Sequence, residues 1–210
     1  MRRIKALLVI LLGLGLLTAC GGIPIEFDLL KFIPDQYKRG SFGTEILKDL
    51  DEGEEAKEEE VVVQLPEEDE DEDGEPDGIT IEFTPPENLP KLPVGVSFDF
   101  AVRVDYRITC VENPSGTIAV ALYLADSPPP FREEWLLSSA SAELEGAEGS
   151  FTAAIKGNLS KEQLEAVRQG KVVLGMEARL VLSGKKGEGC TSEIQGEYEI
   201  ERAKVRFTLF

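Results

Sequence analysis

Residues 94–110 carry the strongest structural signal in the sequence, an unbroken alternation of apolar and polar side chains. One parity is apolar from Val94 to Cys110, while the other holds small, hydroxyl and charged residues. Successive side chains of a β-strand point to opposite faces. The pattern therefore predicts one long strand, or two joined by a bend, with one buried face and one wet face. Such a strand must bury its apolar face against a second layer.

Similar alternation recurs at residues 118–124, 172–182 and 190–209, with weaker candidates at 140–144 and 151–155. The apolar parity flips at Arg202, which predicts a β-bulge or a bend there. A capping-box pattern starting at Ser160, with Gly170 as terminator, predicts one helix. We therefore predict a mainly β protein, an antiparallel β-sandwich with one short helix. An open sheet with a packed helix is the second choice.

Acidic residues are concentrated in one segment. The chain has a net charge of −18, and residues 51–77 alone hold sixteen acids against the single Lys57. Such a run repels itself and buries little, so residues 51–78 are predicted to form a disordered acidic linker. Within it, Val61–Leu65 is a candidate edge strand. We assign the sandwich to residues 79–210 and expect part of the apolar segment 20–50 to pack on it.

The N-terminus has the parts of an export signal. Three basic residues among the first five precede the apolar run Ala6–Leu17, which is too short to span a bilayer as a helix. Leu17-Thr18-Ala19-Cys20 follows, and two glycines come next. This arrangement resembles the lipobox of bacterial lipoproteins at all four positions.

The resemblance implies that residues 1–19 are a signal peptide and that Cys20 becomes the lipid-modified N-terminus after cleavage. The mature protein would then be held at a membrane of the cell envelope, and Gly21 favours the outer membrane where two membranes exist. Several acyl chains give lasting attachment, whereas one does not. The alternatives are a plain secretory signal with a chance cysteine, and a short membrane helix.

Two further cysteines, Cys110 and Cys190, remain. Exported proteins enter an oxidising compartment, so we predict a disulfide between them. Both fall on the apolar parity of their predicted strands, which suits a bridge buried between facing strands. Two separate buried thiols are the alternative. Their separation along the chain excludes a CxxC redox pair.

Composition excludes several chemistries. Histidine is absent from the chain, which removes His-based catalytic triads and His-ligated zinc or haem sites. The acidic balance argues against nucleic acid as a partner, because binding it requires basic side chains.

One motif points to a metal. Asp69, Asp71 and Asp73 precede Gly74, and Asp77 occupies the ninth position of the same frame. This resembles the start of EF-hand and thrombospondin-type calcium loops, and the resemblance implies calcium binding. The twelfth position holds Thr80 where an EF-hand has a glutamate. A composition-driven match within an acidic tract is the alternative.

Phe131 and Trp135 form a candidate binding loop, since they follow the stiff run Pro128-Pro129-Pro130. The alternative is that they cover the end of the core.

The sequence thus favours a lipid-anchored envelope protein with a non-enzymatic binding or structural role. It would contact the membrane through its lipid and an unidentified envelope protein or ligand through its sandwich. A calcium-responsive module is the rival, and a carboxylate-based hydrolase is a third hypothesis. No cofactor other than calcium is expected.

Overall fold

The computed structural model describes residues 23–65, 78–84, 95–144 and 146–209. The described part of the chain forms ten strands in two antiparallel sheets, with one helix longer than a single turn. The strands are β1 (Ile23–Asp28), β2 (Arg39–Glu45), β3 (Glu55–Leu65), β4 (Ile79–Glu82), β5 (Gly95–Thr109), β6 (Val111–Ala125), β7 (Leu136–Glu143), β8 (Glu148–Asn158), β9 (Lys171–Lys186) and β10 (Glu193–Leu209). The helix α1 spans Lys161–Gln169, and shorter helical turns lie at Leu29–Lys31, Asp35–Lys38 and Glu133–Trp135.

In sheet A, β1 and β2 both pair with β10, followed by β5 and then β8. In sheet B, β3 and β4 both pair with β9, followed by β6 and then β7. Each sheet therefore has four strand positions, and one edge position is shared by two successive strands, β1 and β2 in sheet A and β3 and β4 in sheet B. When each such pair is taken as one position, the chain passes from one sheet to the other between successive positions, except at the β6–β7 hairpin. This is the strand order of a jelly roll, and it confirms the predicted antiparallel sandwich.

The core lies between the sheets, and the inner parities of the long strands supply it. Along β5, the apolar set from Val96 to Ile108 is buried while Arg103 and Arg107 are exposed. Along β10, the register with β5 shifts between Ile200 and Arg202. This shift confirms the predicted bulge and lets Ile200 and Ala203 both face the core.

Aromatic rings of sheet A lie over glycines on the neighbouring strand. The in-register pairs include Tyr106 with Gly149 and Phe98 with Gly157. A Cβ atom at Gly149 would come 2.6 Å from Tyr106 Cζ, and one at Gly157 would come 2.7 Å from Phe98 Cζ. Because these glycines have no Cβ atom, each ring has room to pack in the core.

The helix begins and ends as the sequence predicts. Ser160 accepts a hydrogen bond from Gln163 N, and the Gln163 side chain accepts one from Ser160 N, completing a capping box. Gly170 ends the helix with φ of 77°. The helix crosses from β8 in sheet A to β9 in sheet B at the end of the sandwich where Ile23 and Leu209 lie.

The disulfide between Cys110 and Cys190 is present, with the Cα atoms 6.1 Å apart. Its predicted burial between facing strands is wrong. Cys110 forms the turn between β5 and β6 with φ of 57°, and Cys190 is exposed in the loop before β10. The bridge joins two connections at the end of the sandwich opposite α1. The burial prediction is wrong because the apolar alternation in the sequence continues past the ends of the strands.

Residues 55–65 belong to the sandwich and not to a linker. β3 pairs with β9 from Glu55 to Leu65 and buries Ala56, Val63 and Leu65. The segment before it contributes too, since β1 and β2 form the edge of sheet A. The sandwich therefore begins at Ile23, whereas the sequence placed its start at residue 79. Residues 66–77, the most acidic stretch, lie outside the described residues.

Within the described ranges, no helix is long and apolar enough to cross a membrane.

Candidate functional site

An open groove of about 890 Å³ lies on the outer face of sheet A. Outward-facing side chains of four neighbouring strands line it, because β2, β10, β5 and β8 lie side by side. Small residues leave its floor open. The polar lining consists of Ser41, Asp105, Arg107, Glu148, Ser150, Gln195 and Glu197.

Two ion pairs, one between β5 and β8 and one within β5, organise the charges of the groove. Arg107 Nε lies 2.8 Å from Glu148 Oε1, and Arg103 lies 3.1 Å from Asp105. Glu197 lies opposite Asp105 in the β10–β5 register. Like charges in that arrangement repel each other, so this row of the groove favours an approaching cation or hydrogen-bond donor.

Asp105 is held in its ionised form. The hydrogen bond from the Ser150 hydroxyl is the main cause that lowers the pKa of Asp105; burial opposes it, and the hydrogen bond from Arg103 adds a smaller lowering effect. A carboxyl group that acts as a general acid needs its pKa raised instead. Asp105 therefore serves as a hydrogen-bond acceptor and a fixed negative charge.

The proline-rich loop predicted to bind a ligand lies on the outer face of sheet B. Pro130 is buried, and the half-buried Phe131 ring meets Tyr123 edge-on with centroids 5.6 Å apart. Gly175 makes room for them, since a Cβ there would come 2.8 Å from the Phe131 ring. The Trp135 carbonyl accepts a hydrogen bond of 3.0 Å from Gln163 Nε2. In this arrangement the Phe131 ring packs against sheet B, and the backbone of Trp135 is bonded to α1.

A polar network lies on the same face of sheet B. Glu177 is buried and pairs with Arg179 at 3.0 Å, and Arg179 also contacts Glu60 at 3.1 Å. Burial and then the Glu177 carboxylate raise the pKa of Tyr123. This network neutralises a buried carboxylate, which would otherwise destabilise the fold.

The remaining candidate residues from the sequence lie outside the described residues. These are Cys20 and the four aspartates Asp69, Asp71, Asp73 and Asp77. Among the residues that the structure does describe, no group of three or more acidic or cysteine side chains could hold a metal ion.

The groove on sheet A escaped the sequence analysis. Its members come from positions near 41, 105, 149 and 196, which only the strand register brings together. The available signal was the outward parity of β5 and β10, where charged residues face solvent. That signal predicts a wet face, but it does not predict which four strands share it.

Comparisons with known proteins give no family. No family model matches the chain, and no curated protein matches it. Among solved structures, a chain of sacbrood virus of honeybee aligns with a TM-score of 0.33 and 10% identity, over 88% of this chain and 72% of that one. A chain of deformed wing virus, a honeybee pathogen, gives 0.37 and 10%, over 81% and 52%. A chain of infectious bursal disease virus Gx strain gives 0.33 and 7%, over 90% and 32%. This chain thus spans about half or less of the last two, and scores this low support no transfer of function.

Proposed function

We propose that this chain is a lipoprotein of the bacterial cell envelope, anchored through Cys20, whose jelly-roll domain binds a partner or supports envelope structure without catalysing a reaction. The anchor assignment depends on the basic start, the short apolar run and the Leu17–Cys20 motif. The groove on sheet A is the surface that we assign to binding.

The disulfide is the observation that best supports export. Cys110 is half-buried and Cys190 is exposed, so reductants of the cytosol would reach the bridge. Disulfides of this kind persist in oxidising compartments and are rare in the cytosol. An exported chain with a signal at its N-terminus meets that condition.

The polar groove supports a binding role. Its ion pairs hold Arg107 and Glu148 at fixed positions, and Asp105 and Glu197 leave negative charge facing outward. Such a surface recognises a partner by hydrogen bonds and charge complementarity. Its lining includes two serine hydroxyls, those of Ser41 and Ser150, and the chain has no histidine that could activate them as nucleophiles.

Metabolic labelling tests the anchor. Cells expressing the full chain are fed a fatty acid analogue, and the wild type is compared with Cys20→Ala. We expect label on the wild-type protein in the membrane fraction and none on the variant. Equal labelling of both proteins, or an unlabelled wild type, would contradict the assignment.

Capture from the native envelope tests the binding surface. The bait is the chain from residue 20 to 210, in parallel with Asp105→Lys and with a matched charge reversal at Glu60 on sheet B. We expect an envelope component that the wild type and the Glu60→Lys protein retain and that Asp105→Lys loses. Identical capture by all three proteins would exclude the groove as the binding surface.

A further inference from the structure

The fold starts very close to the proposed anchor. β1 begins at Ile23, which pairs with Leu209 at the end of the sandwich that carries α1. Only residues 21 and 22 separate Cys20 from β1, and three residue steps reach at most about 10 Å. A lipid on Cys20 therefore keeps this end of the molecule beside the membrane surface.

The outer face of sheet A changes character along the strands. Near the anchor end, Lys156, Lys204 and Arg206 surround a cleft of about 210 Å³ that also contains Glu26 and Asp99. Arg206 pairs with Glu26 of β1. Glu26 lies three residues after Ile23, which is about 10 Å along the strand. We call this cleft with its three basic residues the basic cleft.

The far half of the same face is acidic. At its outward positions, three arginines stand against six acids: Arg39, Arg103 and Arg107 against Glu45, Asp105, Glu148, Glu193, Glu197 and Glu199. In the anchor half, four bases balance four acids: Lys156, Arg202, Lys204 and Arg206 against Glu26, Asp28, Asp99 and Glu201. The face thus has a charge gradient that runs along the strands away from Ile23.

We propose that the basic cleft contacts the phosphate groups of the anionic lipid surface in which Cys20 is anchored, and so sets the orientation of the domain. This inference rests on the proposed anchor. Anionic headgroups attract basic side chains within about a Debye length, roughly 8 Å, and repel the acidic half. The short connection holds the cleft at the surface, so contacts too weak to bind a free protein are sufficient to orient a tethered one.

Glu26 competes with the membrane for the same cations. Its carboxylate lies 2.6 Å from Lys204 Nζ and 3.1 Å from Arg206, and these bonds lower the pKa of Glu26. A phosphate contact uses the remaining N–H donors of both side chains. Removing the charge of Glu26 should therefore strengthen the contact.

Chemical tethering tests the orientation without depending on acylation in cells. In the chain 20–210, Cys110 and Cys190 are bridged, so the Cys20 thiol couples selectively to a maleimide lipid in vesicles. The vesicles contain either phosphatidylcholine alone or a mixture with phosphatidylglycerol. The readout is amine acetylation at Lys156 and Lys204 by mass spectrometry, with the exposed Lys48 at the opposite end as internal reference.

We expect anionic vesicles to slow acetylation of Lys156 about fivefold relative to Lys48, a factor set by the attraction of a basic residue to such a surface. Glu26→Gln should deepen this protection, and the pair Lys204→Glu with Arg206→Glu should abolish it. The matched pair Arg103→Glu with Arg107→Glu, on the acidic half, should leave it intact. If the ratio of Lys156 to Lys48 acetylation is the same on both vesicle types, or if Glu26→Gln does not change that ratio on anionic vesicles, the inference is overturned. Failure of the anchor would instead appear as unlabelled protein in the metabolic experiment.

Discussion

At the scale of single residues, sheet A is organised by glycines that face aromatic rings. Phe42 and Gly196 are another in-register pair, between β2 and β10. A Cβ at Gly196 would contact the Phe42 ring and come 2.6 Å from the Asp105 carbonyl oxygen. Because one of these neighbours is backbone, the contact cannot be relieved by a rotamer change alone. The groove floor and the core therefore depend on the same small residue.

Gly196→Ala should lower the free energy of unfolding by about 1–3 kcal/mol, the usual range for overpacking. Gly43→Ala is the matched control on the paired strand, since its Cβ would lie 3.6 Å from the flexible Gln195 side chain. We expect the control to change stability by about 0.5 kcal/mol or less. Urea denaturation measures both, and equal losses would contradict this packing.

Ser150→Ala should raise the pKa of Asp105 toward its ordinary value, because the Ser150 hydroxyl is the main cause that lowers it. The folded pKa lies below the unfolded value of about 3.9. The ionised carboxylate therefore stabilises the fold above that pH, and this contribution is lost as the pH falls through the folded pKa. NMR titration of Asp105 measures the change, with Ser139→Ala on sheet B as the control. An unchanged pKa would show that the hydroxyl does not bond to the carboxylate.

At the scale of elements, the sequence predicts best those strands that bury one face from end to end. The alternation in the sequence predicts the full length of β5 and β10, including the bulge near Arg202, because each inward residue of these strands contributes to the core. The sequence does not predict the first half of β3, because Ala56 is the only buried residue of this strand before Val63. That half is held by backbone pairing to β9, a long-range contact that local patterning does not encode.

The disulfide shows the same limit. Cys110 continues the apolar alternation of β5 in the sequence. The backbone turns at this residue with a positive φ, and an alternating pattern of side chains does not predict such a turn. The sequence does not predict the groove on sheet A for a related reason, because three registers between four strands bring its residues together. Outward parity predicts its polarity, and topology determines its position.

The link between α1 and the proline-rich loop depends on one side chain. Gln163 caps the helix and also donates to the Trp135 carbonyl. Gln163→Ala should therefore lower stability by about 1–3 kcal/mol, more than the roughly 1 kcal/mol expected for Ser160→Ala.

Fluorescence separates these two roles, because Trp135 is the single tryptophan of the chain. We expect the native emission of Gln163→Ala to shift to the red as the loop loosens, while Ser160→Ala keeps the wild-type spectrum. Identical spectra for the two variants would mean that the loop does not depend on Gln163.

At the scale of the whole molecule, the sandwich needs strands that precede residues 66–77 as well as strands that follow them. β1 and β2 cover β10, and β3 covers β9. A fragment of residues 78–210 would expose those two long strands along an edge. We expect it to aggregate or to lack cooperative unfolding, whereas residues 20–210 unfold in one transition. Circular dichroism during heating distinguishes them, and a cooperative transition of the fragment would contradict the assigned boundaries.

The bridge between Cys110 and Cys190 closes a loop with a sequence separation of 80 residues. In the chain-entropy model, replacing both cysteines by serine should lower stability by about 4 kcal/mol. The control is the wild-type protein under reducing conditions, which should lose a similar amount. Equal urea midpoints for the oxidised wild type and the double variant would show that the bridge does not constrain the unfolded chain.

The anchor at Cys20 is the central claim, and peptide mass mapping of the protein isolated from its own cells tests it most directly. Digestion without reduction keeps both cysteine modifications in one measurement. We predict an N-terminal peptide that starts at Cys20 and carries the mass of acyl chains, together with a linked pair of peptides containing Cys110 and Cys190. A peptide that begins at Met1 and carries no fatty acid would contradict the account.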